Sequence, residues 1–269
     1  MSRFMTIVRV ALVGTLSFFV AVAGAHADTG LCAVPNGGAL PDLVIDANAL
    51  SRQVQVTEEK YPNAGCTVQE GFVTTPGTHV LLRFTTSSPN IGPGSLVIGD
   101  PNQCPGLFTF SACHGHLHFK EYTDYRLWTE DGYAMWVATR DLSSPSNTGK
   151  NAALLADAAK TRQLINGRKA GFCMIDSSPY LPGANPTATF TSCTSNQGLS
   201  AGWADTYDAR LDGQWIEVDG LKEGIYVLEN HVNAEHLLPE TNYTNNSTAV
   251  RIHFIPRHGQ TPPSVEVLN

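Results

Sequence analysis

The chain has 269 residues, with 17 Lys and Arg against 24 Asp and Glu and a formal net charge of −7. This acidic balance argues against nucleic acid as a partner, since phosphate binding needs a basic face. The absence of a G-x-G-x-x-G or P-loop removes the usual nucleotide chemistries. An acidic surface keeps a protein soluble and can attract cationic partners, amines included.

Taken in chain order, the first segment carries Arg3 and Arg9 ahead of an apolar run from Val10 to Ala25, closed by Ala25-His26-Ala27. The run is shorter than the roughly 20 residues of a membrane span, and small residues close it. The pattern predicts a secretory signal peptide over residues 1–27, cleaved after Ala27, with no stable membrane insertion. The destination is extracellular, or periplasmic in a Gram-negative bacterium. Without the two leader arginines the mature net charge is −9. Residues 28–255 are expected to form a single domain and residues 256–269 a poorly ordered tail. All six cysteines (Cys32, Cys66, Cys104, Cys113, Cys173, Cys193) follow the cleavage point, and three disulfides are the default in an oxidising compartment. No C-x-x-C pair is present, which argues against a thioredoxin-type site or a four-cysteine zinc site.

Short alternating or β-branched stretches between Gly, Pro, Asn and Asp predict strands over Thr78 to Thr86, Ser95 to Ile98, His114 to Trp128, Tyr133 to Thr139, Trp215 to Val218, Ile225 to Val232 and Thr248 to Ile255. Glu130-Asp131-Gly132 reads as a hairpin turn, with Gly132 taking a positive φ. Asn151 to Ile165 is rich in Ala, Leu, Lys, Arg and Gln and predicts a helix, preceded by a polar loop over Ser143 to Gly149. Another loop is expected over Ser177 to Pro186.

The sharpest feature is Cys113-His114-Gly115-His116-Leu117-His118. Three histidines at a period of two share one face of a strand, with the outer pair about 13 Å apart along the backbone. They can meet one ion only if the strand bends. Neutral imidazole suits copper and zinc, and three such ligands leave an open position as catalytic sites do. The remaining histidines of the mature chain, His79, His231, His236, His253 and His258, read as structural or surface residues. Gly167-Arg168-Lys169-Ala170-Gly171-Phe172-Cys173 and Asp205-Thr206-Tyr207 would by themselves read as a strand edge and half-buried packing.

In order along the chain, Leu40-Pro41-Asp42-Leu43-Val44, Val80-Leu81-Leu82-Arg83-Phe84, Cys113-His114-x-His116-x-His118, Lys169-Ala170-x-Phe172-Cys173, Gln197-Gly198-Leu199-Ser200, Asp205-Thr206-Tyr207, Gln214-Trp215-Ile216 and Pro239-Glu240-x-x-Tyr243-Thr244-Asn245-Asn246 resemble the catalytic domain of the lysyl oxidases. The resemblance implies a mainly β fold: a lysyl oxidase-like β-sandwich core with long irregular loops and one or two short helices. It implies a copper amine oxidase that turns primary amines, peptidyl lysine or small amines, into aldehydes with dioxygen, releasing ammonia and hydrogen peroxide. His114, His116 and His118 would be the copper ligands, and Lys169 and Tyr207 the precursors of a lysine tyrosylquinone. Asp205 and Asp212, flanking Tyr207, are candidates for the base.

The same resemblance implies calcium at Asp42, the Leu43 carbonyl, Glu240, Asn242, Asn245 and Asn246, an all-oxygen set. Asn242 stands where the family pattern has Asp, one negative charge fewer. It also implies a Cys113–Cys193 bridge, and among the other four cysteines the working expectation is Cys32–Cys66 with Cys104–Cys173. The 51-residue interval from His118 to Lys169 exceeds that of the animal enzymes, and its insertion is either a lid over the site or a surface decoration. The spare architecture suggests a microbial source. Two other readings use the same residues: a zinc or copper protein without the quinone, and a calcium-stabilised adhesion module.

Overall fold

The computed structural model describes residues 38–63 and 65–268, Lys169 through its backbone alone. The predicted signal peptide and Cys32 lie outside the described residues. The elements in chain order are α1 (Ala47–Arg52), β1 (Val54–Tyr61), α2 (Cys66–Gln69), β2 (Gly77–Phe84), β3 (Thr86–Pro89), β4 (Leu96–Gly99), β5 (Phe108–Ser111), β6 (His116–Thr129), α3 (Glu130–Thr139), α4 (Gly149–Lys160), β7 (Leu164–Phe172), β8 (Ser178–Pro179), β9 (Gln197–Leu199), β10 (Trp203–Tyr207), β11 (Trp215–Glu217), β12 (Gly224–Val232), β13 (Ser247–Ile255) and β14 (Ser264–Leu268). The class is mainly β, as expected. Among the described residues no helix is long and apolar enough to cross a membrane.

The 14-residue β6 organises the molecule. Its first residues pair with β5 and its later ones with β12, while β7 runs along its other edge, all antiparallel. β13 and β14 extend that sheet beyond β12. Separate antiparallel sheets form from β1, β2 and β11, from β3, β10 and β8, and from β4 and β9. Leu82, Phe84, Phe119, Tyr122, Tyr125, Leu127, Phe172, Leu228 and Ile252 meet in one apolar core. Two tyrosines there end on hydroxyl partners from β3, Tyr122 on Ser88 and Tyr125 on Thr86, each at 2.8 Å, so the phenol oxygens are buried without an unmet bond.

Three expectations need correction. Glu130-Asp131-Gly132 opens α3 rather than turning a hairpin: Thr129 Oγ1 accepts from Gly132 N at 3.1 Å, and two acids in the first turn suit the positive end of the helix dipole. Tyr133 to Thr139 is therefore helical. Gly132 is required by close approach, because a Cβ there would lie 2.7 Å from Gln163 Cβ and 2.8 Å from Gln163 O. The helix expected to run to Ile165, α4, ends at Lys160, and Leu164 and Ile165 already belong to β7. After residue 256, β14 pairs with β13 from Arg251↔Leu268 to Ile255↔Ser264, where a poorly ordered tail was expected.

Disulfides pair Cys66 with Cys113 and Cys173 with Cys193, each at a Cα separation of 5.2 Å. These replace the expected Cys113–Cys193, Cys32–Cys66 and Cys104–Cys173 bridges. Pairing follows which loops the sheets bring together, and sequence spacing does not encode that. Cys104 is disulfide-bonded as well.

The insertion packs on the large sheet through Trp128, Trp136, Ala158 and Val227, with the two indoles stacked at 5.7 Å. Beneath them Glu229, fully buried, accepts from Trp128 Nε1, Trp136 Nε1, Arg126 and Arg140. Breaking such a set strands buried charge. Glu229→Ala is expected to lower the unfolding free energy by about 3–5 kcal/mol, read by urea denaturation; a loss under about 1 kcal/mol would show that the arginines re-solvate.

Next along β12, His231 is 5% exposed and both ring nitrogens lack partners. Burial, reinforced by the charges of Arg126 and Arg140, holds its pKa well below the ordinary value. The native state keeps it neutral while the unfolded chain protonates near pH 6.5, so stability falls as pH drops below about 6.5. The slope is up to about 1.4 kcal/mol per pH unit for this one group. His231→Leu should flatten the stability–pH curve by that amount, measured by denaturation between pH 7 and pH 5.

Candidate metal centre and its cavity

The three histidines meet because the chain turns between β5 and β6. Ser111 pairs with His116 across the hairpin, so His114 sits in the turn rather than on the strand. Gly115, at φ +72° with open space around it, permits the reversal. Glu70 fixes the turn from outside by accepting from Ser111 Oγ at 2.9 Å and Cys113 N at 2.8 Å, and the Cys66–Cys113 bridge ties the same two segments.

His114 Nδ1 consequently lies 3.2 Å from His118 Nε2, which lies 3.0 Å from His116 Nε2. The roughly 13 Å expected along a regular strand has collapsed to ligand spacing. Nitrogens this close fit around one ion with bonds of about 2 Å. Burial, reinforced by the neighbouring imidazoles, pulls His118 down to about 3 and lowers His116 also. Both are held in the neutral form that binds metals.

The imidazoles line a cavity of about 390 Å³ that also contains Phe72, Arg168, Phe172, Asp205, Tyr207 and the Cys173–Cys193 bridge. The bridge sulfurs lie within 4.8 Å of the His116 nitrogen, but as a disulfide they are not thiolate ligands. Tyr207, at the end of β10, donates from Oη to the Cys173 carbonyl oxygen. Its ring lies 4.1 Å from that of Phe172. Burial raises its phenol pKa well above the usual value, reinforced by Asp205. Lys169 stands on β7 opposite Asp124 of β6, between Arg168 and Ala170, which both line the cavity.

Of the two acids flanking Tyr207, Asp205 is 1% exposed, accepts from Ser177 Oγ at 3.1 Å through Oδ1 and leaves Oδ2 buried without a donor. Burial drives its pKa well up. Asp212 lies at the exposed rim. No residue from 129 to 163 lines the cavity, so the insertion decorates the sheet and does not cover the site. Sequence reading passed over Glu70, Phe72 and Arg168 as site residues; only the alternation of Arg168 with Ala170 and Phe172 along β7 could have marked the last.

The segments read as a calcium site also meet. Leu43 N donates to Glu240 Oε2 at 2.8 Å, and Asn233 and Asn246 both donate to Glu240 Oε1 at 2.6 Å. Asn245 Nδ2 reaches Asp42 Oδ1 at 2.9 Å. Asn242 instead folds into its own turn, accepting from Thr244 N and Oγ1. Burial lifts Glu240 to about 7. A third grouping, His79 with Glu217 and Asp219, is a clamp: His79 Nδ1 lies 2.7 Å from Asp219 and Nε2 2.7 Å from the Thr75 carbonyl.

Residues 153–261 match the family model described as lysyl oxidase. Lysyl oxidase homolog 1 of Bos taurus is 29% identical over 237 residues, covering 84% of this chain and 34% of its own length. Protein-lysine 6-oxidase of Sus scrofa is 28% identical over 229 residues, covering 81% of this chain and 78% of its own length, and the Homo sapiens protein of that name is 28% identical over 229 residues. Over most of its length the chain is similar to lysyl oxidases. It spans about a third of the length of the lysyl oxidase homolog 1 proteins it matches. The stretch matched by the family model includes Lys169, Asp205 and Tyr207 but begins after the three histidines.

Proposed function

We propose that the chain is a copper-dependent amine oxidase of the lysyl oxidase type, converting a primary amine, dioxygen and water into an aldehyde, ammonia and hydrogen peroxide. The observation that carries this reading is the trio of imidazole nitrogens at 3.0 and 3.2 Å spacings in the same cavity as Tyr207. His114, His116 and His118 would hold copper, and Lys169 with Tyr207 would supply the lysine tyrosylquinone. Copper brings redox chemistry with dioxygen, and the quinone an electrophilic carbonyl for the amine.

The chain's own residues contribute orientation, dryness and a proton site. Tyr207 is fixed at both ends, its ring against Phe172 and its hydroxyl on the Cys173 carbonyl. Phe72, Phe172 and Ile175 present apolar walls that limit water around the reacting groups. Asp205, with Oδ2 buried and unbonded and its carboxyl driven toward the protonated form, is placed to give a proton to a leaving group. Substrates would be peptidyl lysine or a small amine. Export, extracellular or periplasmic, accords with the absence of free cysteines among the described residues.

A structural calcium ion is assigned to Asp42, the Leu43 carbonyl, Glu240, Asn245 and Asn246, while Asn242, expected in the set, has its Oδ1 taken by Thr244. The support is that Asn245 Oδ1 and Asn246 Oδ1 are both buried without a donor, two oxygens that a hard cation would satisfy.

Copper-loaded protein treated with phenylhydrazine should give a visible-absorbing adduct, and digestion should give a cross-link between the Lys169 and Tyr207 peptides. Tyr207→Phe and Lys169→Ala should each remove adduct and activity with copper content intact, whereas His116→Ala should lower copper content itself. A quinone surviving in either of the first two would refute the cofactor assignment. Calcium at about a hundred times its Kd should stabilise the wild type by about 2.7 kcal/mol and Glu240→Ala far less, read as a shift in melting temperature; equal shifts would remove calcium from this site.

A further inference from the structure

Arg168, half-buried with its Nε enclosed, differs from the other buried or half-buried arginines among the described residues. Arg83 pairs with Glu59, Arg126 with Asp124 and Glu229, and Arg140 with Glu229. Arg168 enters none of the ion pairs among the described residues. Its guanidinium donates to the Gly213 carbonyl oxygen and lies 4.8 Å from the Phe72 ring centroid. Its Nε is buried with no acceptor. Burial without a neighbouring carboxylate pulls its pKa down to about 10.

A buried guanidinium without an anion is costly, and its planar fork matches a carboxylate. Neither acid of the cavity fills that role: Asp205 bonds to Ser177 and is driven toward its neutral form, and Asp212 stands at the exposed rim. The guanidinium has the Gly213 carbonyl and the Phe72 and Tyr125 rings as partners but no anion in the cavity, and a ligand entering the cavity can supply one. A cavity of about 390 Å³ sits at the small end of the roughly 300–1,000 Å³ of ligand pockets, a size for a small molecule.

We propose that Arg168 recognises a carboxylate on the amine that enters this cavity, so that the substrate is a small amino-carboxylate with its primary amine at the end away from the anion. The substrate class rests on the amine-oxidase reading above; the anion site does not.

The test compares 6-aminohexanoate with n-hexylamine, which differ only in the carboxylate, for binding to the full chain by calorimetry and for oxidation by the copper-loaded chain. Wild type should bind the amino-carboxylate about tenfold or more tightly than the alkylamine. Arg168→Gln should bring the two together, and Arg168→Lys should fall between. Equal binding in the wild type, which needs no variant to fold, overturns the proposal, as does a preference that Arg168→Gln leaves intact. Oxidation of n-hexylamine with no preference for the amino-carboxylate overturns the substrate class alone. A binding preference that depends on Arg168, with neither amine oxidised, upholds the anion site and overturns the oxidase reading.

Discussion

Everything at the candidate centre depends on the turn between Ser111 and His116. A regular strand would spread the three histidines along one face. The turn instead folds His114 back over His118, and Glu70 holds it there by bonding two groups of the turn at once. Glu70 comes from the segment just after α2, and the Cys66–Cys113 bridge anchors that segment to the turn. A covalent tie and a two-point carboxylate brace restrict the same few backbone torsions, so the three imidazoles are pre-positioned.

Around this turn the cavity is built by strand ends rather than by a lid. β7 brings Arg168, Ala170 and Phe172, and β10 brings Asp205 and Tyr207. The Cys173–Cys193 bridge closes the wall beside His116. Burial dominates the electrostatics: it keeps His118 uncharged, raises Asp205 and Tyr207, and depresses Arg168. A site that shifts acids, phenols and cations all toward their neutral forms is dry, and in a dry site each hydrogen bond that orients a group carries more weight.

Of the two roles open to the insertion, a lid or a surface decoration, the packing favours the second. α3 and α4 lie over Trp128 and Val227 and cover the Glu229 cluster on the sheet, away from the cavity. Glu229 gathers two arginines and two indole N–H groups, and without the overlying Trp136 and Arg140 that carboxylate would lose half of its partners.

The sequence by itself determined the mainly β class, six of the fourteen strands among the described residues, the α4 helix and the close spacing of the three histidines, and through resemblance it pointed to Lys169 and Tyr207. These are carried by local periodicity or by residue identity at short spacing, which a chain displays without folding. The α3 helix was misread because Gly132 is also compatible with a turn, and its actual reason, contact with Gln163, lies 31 residues away. Tertiary structure alone decided the disulfide pairing, the bend that brings His114 to His118, the burial that sets the site's pKa values, and the isolation of Arg168 among paired arginines. Each of these is a relation between segments distant in the chain, fixed by how the sheets exclude water from between them, and no local pattern of side chains encodes it.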